Sequence, residues 1–308
     1  MANGMASPEA TGGAGVLFEY RVAALALSRL LRGAHVPVGI DLPVNGVALQ
    51  QRIAGSSLDD IVMQASSADQ STTIEFQVKK TLSVLGSSEA LISVLSQAMD
   101  TWRARPDDLD SGRLVLGVAA GEPEEELKEL ARLTGMARSH HTPYSFQLLL
   151  SENVTRRQLR TRHEHIVAAM AAAVGTTERA EAEALTHRVL SRLHVWLVDP
   201  TGDGRDWRAG LDDVRTLATA SGQSADVLLG RLAELARTIG PHAGCLDADD
   251  VRAAFRSRFA IDLTATAPRP TAITINARSE GSGPMFVGDS QVFHGLTINT
   301  HKSLKEEA

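Results

Sequence analysis

The hydrophobic period of this chain changes near residue 35, and that change restricts the fold more than any other feature. From Val16 to Leu31 apolar residues recur every three or four positions, as on one stripe of a helix. From His35 to Lys80 they recur every second position. His35 to Val44, Val47 to Ile53, Leu58 to Gln64 and Thr72 to Lys79 each read as a strand, with Gly46, Gly55-Ser56-Ser57 and Ser66 to Ser71 as turns. A helix followed by closely linked strands predicts an antiparallel meander.

Further along, strand and helix alternate. Ser87 or Ser88 can cap a helix reaching about Trp102, Arg113 to Ala119 reads as a buried strand, and Pro123 to Met136 as a helix with an acidic head. Phe146 to Leu193 is mostly helical, His194 to Val198 reads as a strand, and further helices between Trp207 and Phe259 are punctuated by Gly222, Gly240 and Gly244. The fold class predicted is α/β, a mixed sheet flanked by helices. The expected organisation is a disordered lead over 1–10, a domain over 11–200 whose helical part starts near 146, and a helical module over 201–264. After the linker Ala265 to Pro270 comes a β-rich tail over 271–300, carrying the near-repeat Ile273-Thr-Ile-Asn276 and Leu296-Thr-Ile-Asn299.

Composition narrows the chemistry. With Cys245 as the only cysteine, neither an internal disulfide nor a cysteine-based zinc site can form, so a metal would rest on oxygen or histidine. The formal charge of −6 excludes a uniformly basic surface but not a local basic groove. Lysine occurs only at positions 79, 80, 128, 302 and 305, which makes an adjacent pair within a strand unusual here. No run of about 18 apolar residues exists, and Met1 to Ala10 lacks the basic start and apolar stretch of a signal peptide; a cytoplasmic protein without membrane contact is expected.

Within Ile74-Glu-Phe-Gln-Val-Lys-Lys80, period two sets Glu75, Gln77 and Lys79 on one face and Ile74, Phe76 and Val78 on the other. If the preceding strand forms a hairpin with this one, Asp60 of Leu58-Asp-Asp-Ile-Val-Met63 lies beside Gln77 and Lys79. Carboxylate and amide oxygens suit Mg²⁺, and an ammonium can orient water or stabilise charge developing on a phosphate. Phosphodiester hydrolysis is the chemistry this set fits. Glu19, on the first helix, is a candidate for a further ligand. Taken singly, a Glu-x-Gln-x-Lys strand is an ordinary solvated face, Asp59-Asp60 a turn pair and Glu19 a surface residue; their joint order distinguishes them.

Gly15-x-x-Phe-Glu-Tyr20, Asp59-Asp-Ile61 and Phe76-Gln-Val-Lys79 together resemble the PD-(D/E)XK nuclease domain of bacterial antiphage effectors, including cyclic-oligonucleotide-activated DNA endonucleases of CBASS systems and STAND-type ATPases. The resemblance spans roughly residues 11 to 200 and implies a restriction-endonuclease-like sheet. It implies Asp60, with Asp59 as second choice, and Gln77 in the metal site, Lys79 as catalytic lysine, Glu19 as accessory acid and Glu75 as a compensating ligand. Gln77 stands where the wider superfamily often has an acid. Mg²⁺ or Mn²⁺ as cofactor and DNA, most readily double-stranded, as substrate follow from the same resemblance. Such effectors usually continue into a sensor or motor domain, and no Walker motif occurs in these 308 residues. The alternatives are a silent nuclease-fold adaptor and a restriction enzyme reading modified bases. The tail over 271–300 is a candidate for self-association or for binding another defence protein.

Other signals are weaker. Gly12 to Gly15 reads as a helix lead, and Asp199 to Asp206 as a linker, because the twelfth position of a calcium loop would be Gly210. The i, i+2 spacing of His163 and His165 suits no common zinc site, and solvent exposure is expected for both. Arg156, Arg157, Arg160 and Arg162 read equally as a phosphate track or a solvated helix face; with Lys80, the first three are the nucleic-acid contacts to look for.

Overall fold

The computed structural model describes residues 8–50, 58, 60–151, 154–240 and 245–263. Residues 1–7 of the lead expected over 1–10, Asp59 and the tail over 271–300 lie outside them, while Pro8 to Ala10 open α1. In chain order the elements are α1 (Pro8–Arg32), β1 (Val44–Leu49), β2 (Ile61–Ser66), β3 (Ser71–Thr81), α2 (Glu89–Ala104), α3 (Pro106–Asp110), β4 (Leu114–Glu122), α4 (Glu124–Ser139), α5 (Pro143–Leu149), α6 (Arg157–Val174), α7 (Arg179–Leu190), β5 (Leu193–Leu197), α8 (Arg205–Ala220), α9 (Ala225–Ile239), β6 (Cys245–Leu246) and α10 (Ala248–Phe259). The fold is α/β, as the alternation of periods predicts.

The strands form one mixed sheet in the order β5-β4-β3-β2-β1-β6. β1, β2 and β3 make the antiparallel meander, with Ile61 opposite Phe76. The connection from β3 through α2 returns parallel as β4, and β5 adds parallel to β4. Helices cover both faces of this parallel part, as crossover connections require. On one face Met63, Ile74, Phe76, Val78 and Trp196 pack with residues of α1, α8 and α9. On the other, Leu82, Leu116, Val118 and Ala120 pack with residues of α2, α4 and α6. Phe76 meets Trp196 edge-on at 5.9 Å between centroids, and a Cβ on Gly117 would come within 2.4 Å of the Phe76 ring. The aromatic on β3 therefore fills the space that a side chain on β4 would need.

Three expectations are corrected. His35 to Val44 is not a strand but a turn-rich segment with a single bridge, His35 to Pro43. Pro37 cannot donate to a ladder and Gly39 turns at a φ of 72°, so the alternation of Val36, Val38 and Ile40 is not carried by an extended backbone. The boundary at residue 200 does not separate two packing units: Val214, Leu217, Leu228, Leu229 and Leu232 share a core with Val22 and Leu25, and β6 pairs with β1. His163 is not solvated. It is 2% exposed, with its ring edge-on to Phe146 at 5.5 Å, and burial pushes its pKa down to about 4.

Candidate active site

Asp60 stands one residue before β2. Because Ile61 pairs with Phe76, antiparallel register sets Asp60 across from Gln77. The Val78 amide donates to Asp60 Oδ2 at 2.7 Å, and Gln77 Nε2 donates to the same oxygen. On the backbone, Gln50 N donates to the Asp60 carbonyl at 3.2 Å. The carboxylate is thus held by its neighbouring strand.

The face of β3 predicted to be polar is not open to water. Glu75 is 1% and Gln77 4% exposed. Glu75 Oε1 accepts from Arg105 Nη2 at 2.6 Å, an ion pair for which period two gives no signal. Two oxygens on this face, Gln77 Oε1 and Glu75 Oε2, are buried without a hydrogen-bond partner among the described residues. Leaving such an acceptor unsatisfied costs about 1–3 kcal/mol, which makes each a place where a ligand has something to gain. Lys79 follows Gln77 on the same face, is half-buried, and makes no hydrogen bond or ion pair with the described residues.

The other candidates are more scattered. α1 packs against the Ile74–Phe76–Val78 face, so half-buried Glu19 starts from the opposite side of the sheet to Gln77. Among the described residues no three His, Cys, Asp or Glu side chains gather as a metal-holding group. Glu19, Asp60 and Glu75 do not gather as one carboxylate cluster among the described residues, and one oxygen of Glu75 is paired with Arg105. Lys80 is exposed on the α1 side, where it lines a cavity of about 650 Å³ with Phe18, Arg21, Gly121, Val198 and Arg205. That cavity lies at the carboxyl ends of β3, β4 and β5 but not on the face of Gln77.

The arginines at the start of α6 divide. Arg162 is drawn inward, pairing with Glu126 at 3.2 Å and Glu129 at 2.7 Å and donating to the Val84 carbonyl at 2.7 Å. Arg160 Nη1 donates to the Thr155 carbonyl at 2.8 Å. Arg156 and Arg157 are exposed. In the segment Asp199 to Asp206 the carboxylates accept from local donors, Asp199 Oδ1 from the Thr201 hydroxyl and Asp206 Oδ2 from the Asp199 amide, which builds a turn into α8. No helix of the described residues is long and apolar enough to cross a membrane.

No family model matches the sequence, and no curated protein matches it. Two solved chains from Acinetobacter baumannii are similar in structure, both of a Cap4 SAVED/CARF-domain containing receptor. The one with the cyclic trinucleotide 3'3'3'-cAAA superposes with a TM-score of 0.41 at 10% identity, over 85% of this chain and 49% of that one. The one with 2'3'3'-cAAA gives 0.39 at 8% identity, over 79% and 44%. This chain thus spans about half the length of either receptor, and likeness at this level assigns neither a site nor an activity.

Proposed function

We propose that this chain is a divalent-metal-dependent DNA endonuclease with its site on the β2–β3 hairpin, serving in bacterial antiphage defence. One observation carries the chemistry: Asp60 and Gln77 are joined across the hairpin so that Gln77 Oε1 is buried and unpartnered, with Lys79 next on the same face. Motif resemblance, not the geometry, supplies the preference for double-stranded DNA and the defence setting.

The residues fit Mg²⁺ or Mn²⁺. Both candidate donors are hard oxygens, the Asp60 carboxylate and the Gln77 amide carbonyl, and Mg²⁺ commonly takes one or two protein ligands and fills its octahedron with water and phosphate. When bound, such a cation supplies an activated water and neutralises charge on the scissile phosphate. Asp60 is oriented for this by the Val78 amide, and the Gln77 amide is fixed through its nitrogen. Lys79 brings an ammonium with no competing protein partner among the described residues, and it stabilises the charge that develops on the non-bridging oxygens. Glu75, balanced by Arg105, sets the strand's polar face without adding net charge to it.

Plasmid, linear duplex and RNA incubated with the protein in Mg²⁺, in Mn²⁺ and in EDTA test this reading. DNA cleavage that EDTA abolishes is the expected result; no cleavage of any substrate, or cleavage indifferent to EDTA, overturns it. A second reading, a silent adaptor that keeps the fold to bind nucleic acid or protein, is favoured by the absence of a three-member acidic cluster among the described residues. DNA binding without metal-dependent cutting would select it.

A further inference from the structure

Helices α4 and α6 bound a groove whose charge is one-sided. A cavity of about 350 Å³ lies between them, lined by Glu129, Arg132 and Met136 from α4 and by Val154, Thr155, Arg156, Gln158 and Leu159 at the start of α6. Among the described residues its one acidic lining residue, Glu129, is already paired with Arg162. Arg132, Arg156 and the adjoining Arg157 are exposed and make no ion pair or hydrogen bond through their side chains with the described residues. Several other surface arginines are paired: Arg103 with Asp100, Arg113 with Asp108, Arg179 with Glu164 and Glu183, Arg215 with Asp212.

The groove is also built to keep its shape. Thr155 is 8% exposed, its hydroxyl donates to the Leu149 carbonyl at 2.7 Å, and its own carbonyl accepts from Arg160 at 2.8 Å. Those bonds fix the approach to Arg156. No acidic residue occupies the first turn of α6, so the positive end of its dipole adds to the guanidinium charge, whereas α4 begins with Glu124, Glu125 and Glu126. Val154 and Met136 add an apolar wall beside the cations.

We infer that the α4–α6 groove is a nucleic-acid contact in which Arg132 and Arg156 hold backbone phosphates. Guanidinium groups bind phosphate oxygens through two parallel N–H donors, and two such groups on facing helices can take phosphates of one strand. The groove uses none of the residues assigned to cleavage. It shares with the nuclease reading the premise that the chain binds DNA but does not need cutting: binding in EDTA without cleavage in Mg²⁺ would keep the groove and overturn the nuclease.

The test is binding in EDTA, where cutting is absent by design. Fluorescence anisotropy with a labelled 20-base-pair duplex, and with one of its strands, is followed over a salt series. Arg132→Ala/Arg156→Ala should bind about tenfold or more weakly at low salt and lower the slope of log K against log salt by about two, with unchanged thermal melting. Arg132→Lys/Arg156→Lys should keep most of the slope, since charge remains. Arg237→Ala, an exposed arginine on α9, should bind like the parent protein. The inference is overturned by an unchanged slope in the double alanine variant, by an equal loss in Arg237→Ala, or by no DNA binding in the parent. Displacement of DNA by poly-glutamate as readily as by unlabelled DNA would assign the groove to acidic protein and overturn it as well.

Discussion

Lys79 is the residue on which the proposed chemistry turns. Lys79→Ala should lower metal-dependent cleavage by about 10²–10³-fold, the scale of losing one charge-stabilising donor, while leaving thermal melting unchanged because the ammonium has no protein partner among the described residues. Wild-type rates in a folded variant would remove Lys79 from the site. Gln77→Glu gives a readout that does not depend on cutting. A carboxylate there would face Asp60 in a buried position, so the metal-free variant should melt below the parent, and Mn²⁺ should recover the difference. A melting point indifferent to Mn²⁺ would mean that these oxygens do not hold a cation. The meeting of Asp60 with Gln77 was legible in the sequence because strand pairing converts an alternation and a short connection into cross-strand neighbours. The role of Arg105 was not, since nothing in a period of two says which distant guanidinium will meet Glu75. Nor was the burial of His163 legible from i, i+2 spacing, because α6 is contacted from more than one side.

Among the elements, β3 and β4 carry the tightest constraint. Gly117→Ala should destabilise the protein by about 1–3 kcal/mol in urea unfolding, as overpacking does, because its Cβ would enter the Phe76 ring and Phe76 is itself seated on Trp196. An unchanged midpoint would show that the ring gives way freely. The strands of the meander and the helices around β4 could be read from period and caps; Ser88, for instance, does cap α2 through the Leu91 amide. Two elements could not. Cys245–Leu246 is too short for any periodic signal, and it becomes a strand only because β1 offers it an edge. The helices after residue 200 have the amphipathic pattern of a module, but the pattern does not say what their apolar faces cover. At the other end of the sheet, arginines cap the outer strand: Arg138 donates to the Leu193 carbonyl at 2.6 Å and Arg205 to the Leu197 carbonyl at 2.9 Å. With those acceptors taken, β5 is a poor template for a further strand.

For the molecule as a whole, acid should be destabilising, and His163 accounts for part of it. Burial is the main cause that holds its folded-state pKa at about 4, with nearby Glu164 raising it and Arg179 lowering it by less. Since the unfolded value is about 6.5, the unfolded chain binds more protons between the two values, so stability is full above pH 6.5 and declines as pH falls toward 4. Urea unfolding at pH 7 and pH 4.5 should show this loss in the parent, and His163→Leu should flatten it, leaving the share due to His194, which burial also lowers to about 4. Equal pH dependence in parent and variant would exclude His163 as a contributor. A chain ending at Ala267 should melt like the full protein, because among the described residues the buried core of the first unit runs to Leu263; a lower melting temperature would show that residues beyond 267 support the fold. The position of α1, pressed between the sheet and the helices α8 and α9, has a consequence for how the protein is made. This helix leaves the ribosome before the partners of its outer face, Val214, Leu217, Leu228 and Leu232, have been translated. Its apolar stripe must wait until α8 and α9 have been made, and contacts so distant in sequence close slowly. During that interval the newborn chain is at its most exposed to chaperones and to aggregation, and the sheet cannot reach its final packing ahead of the helices that follow it.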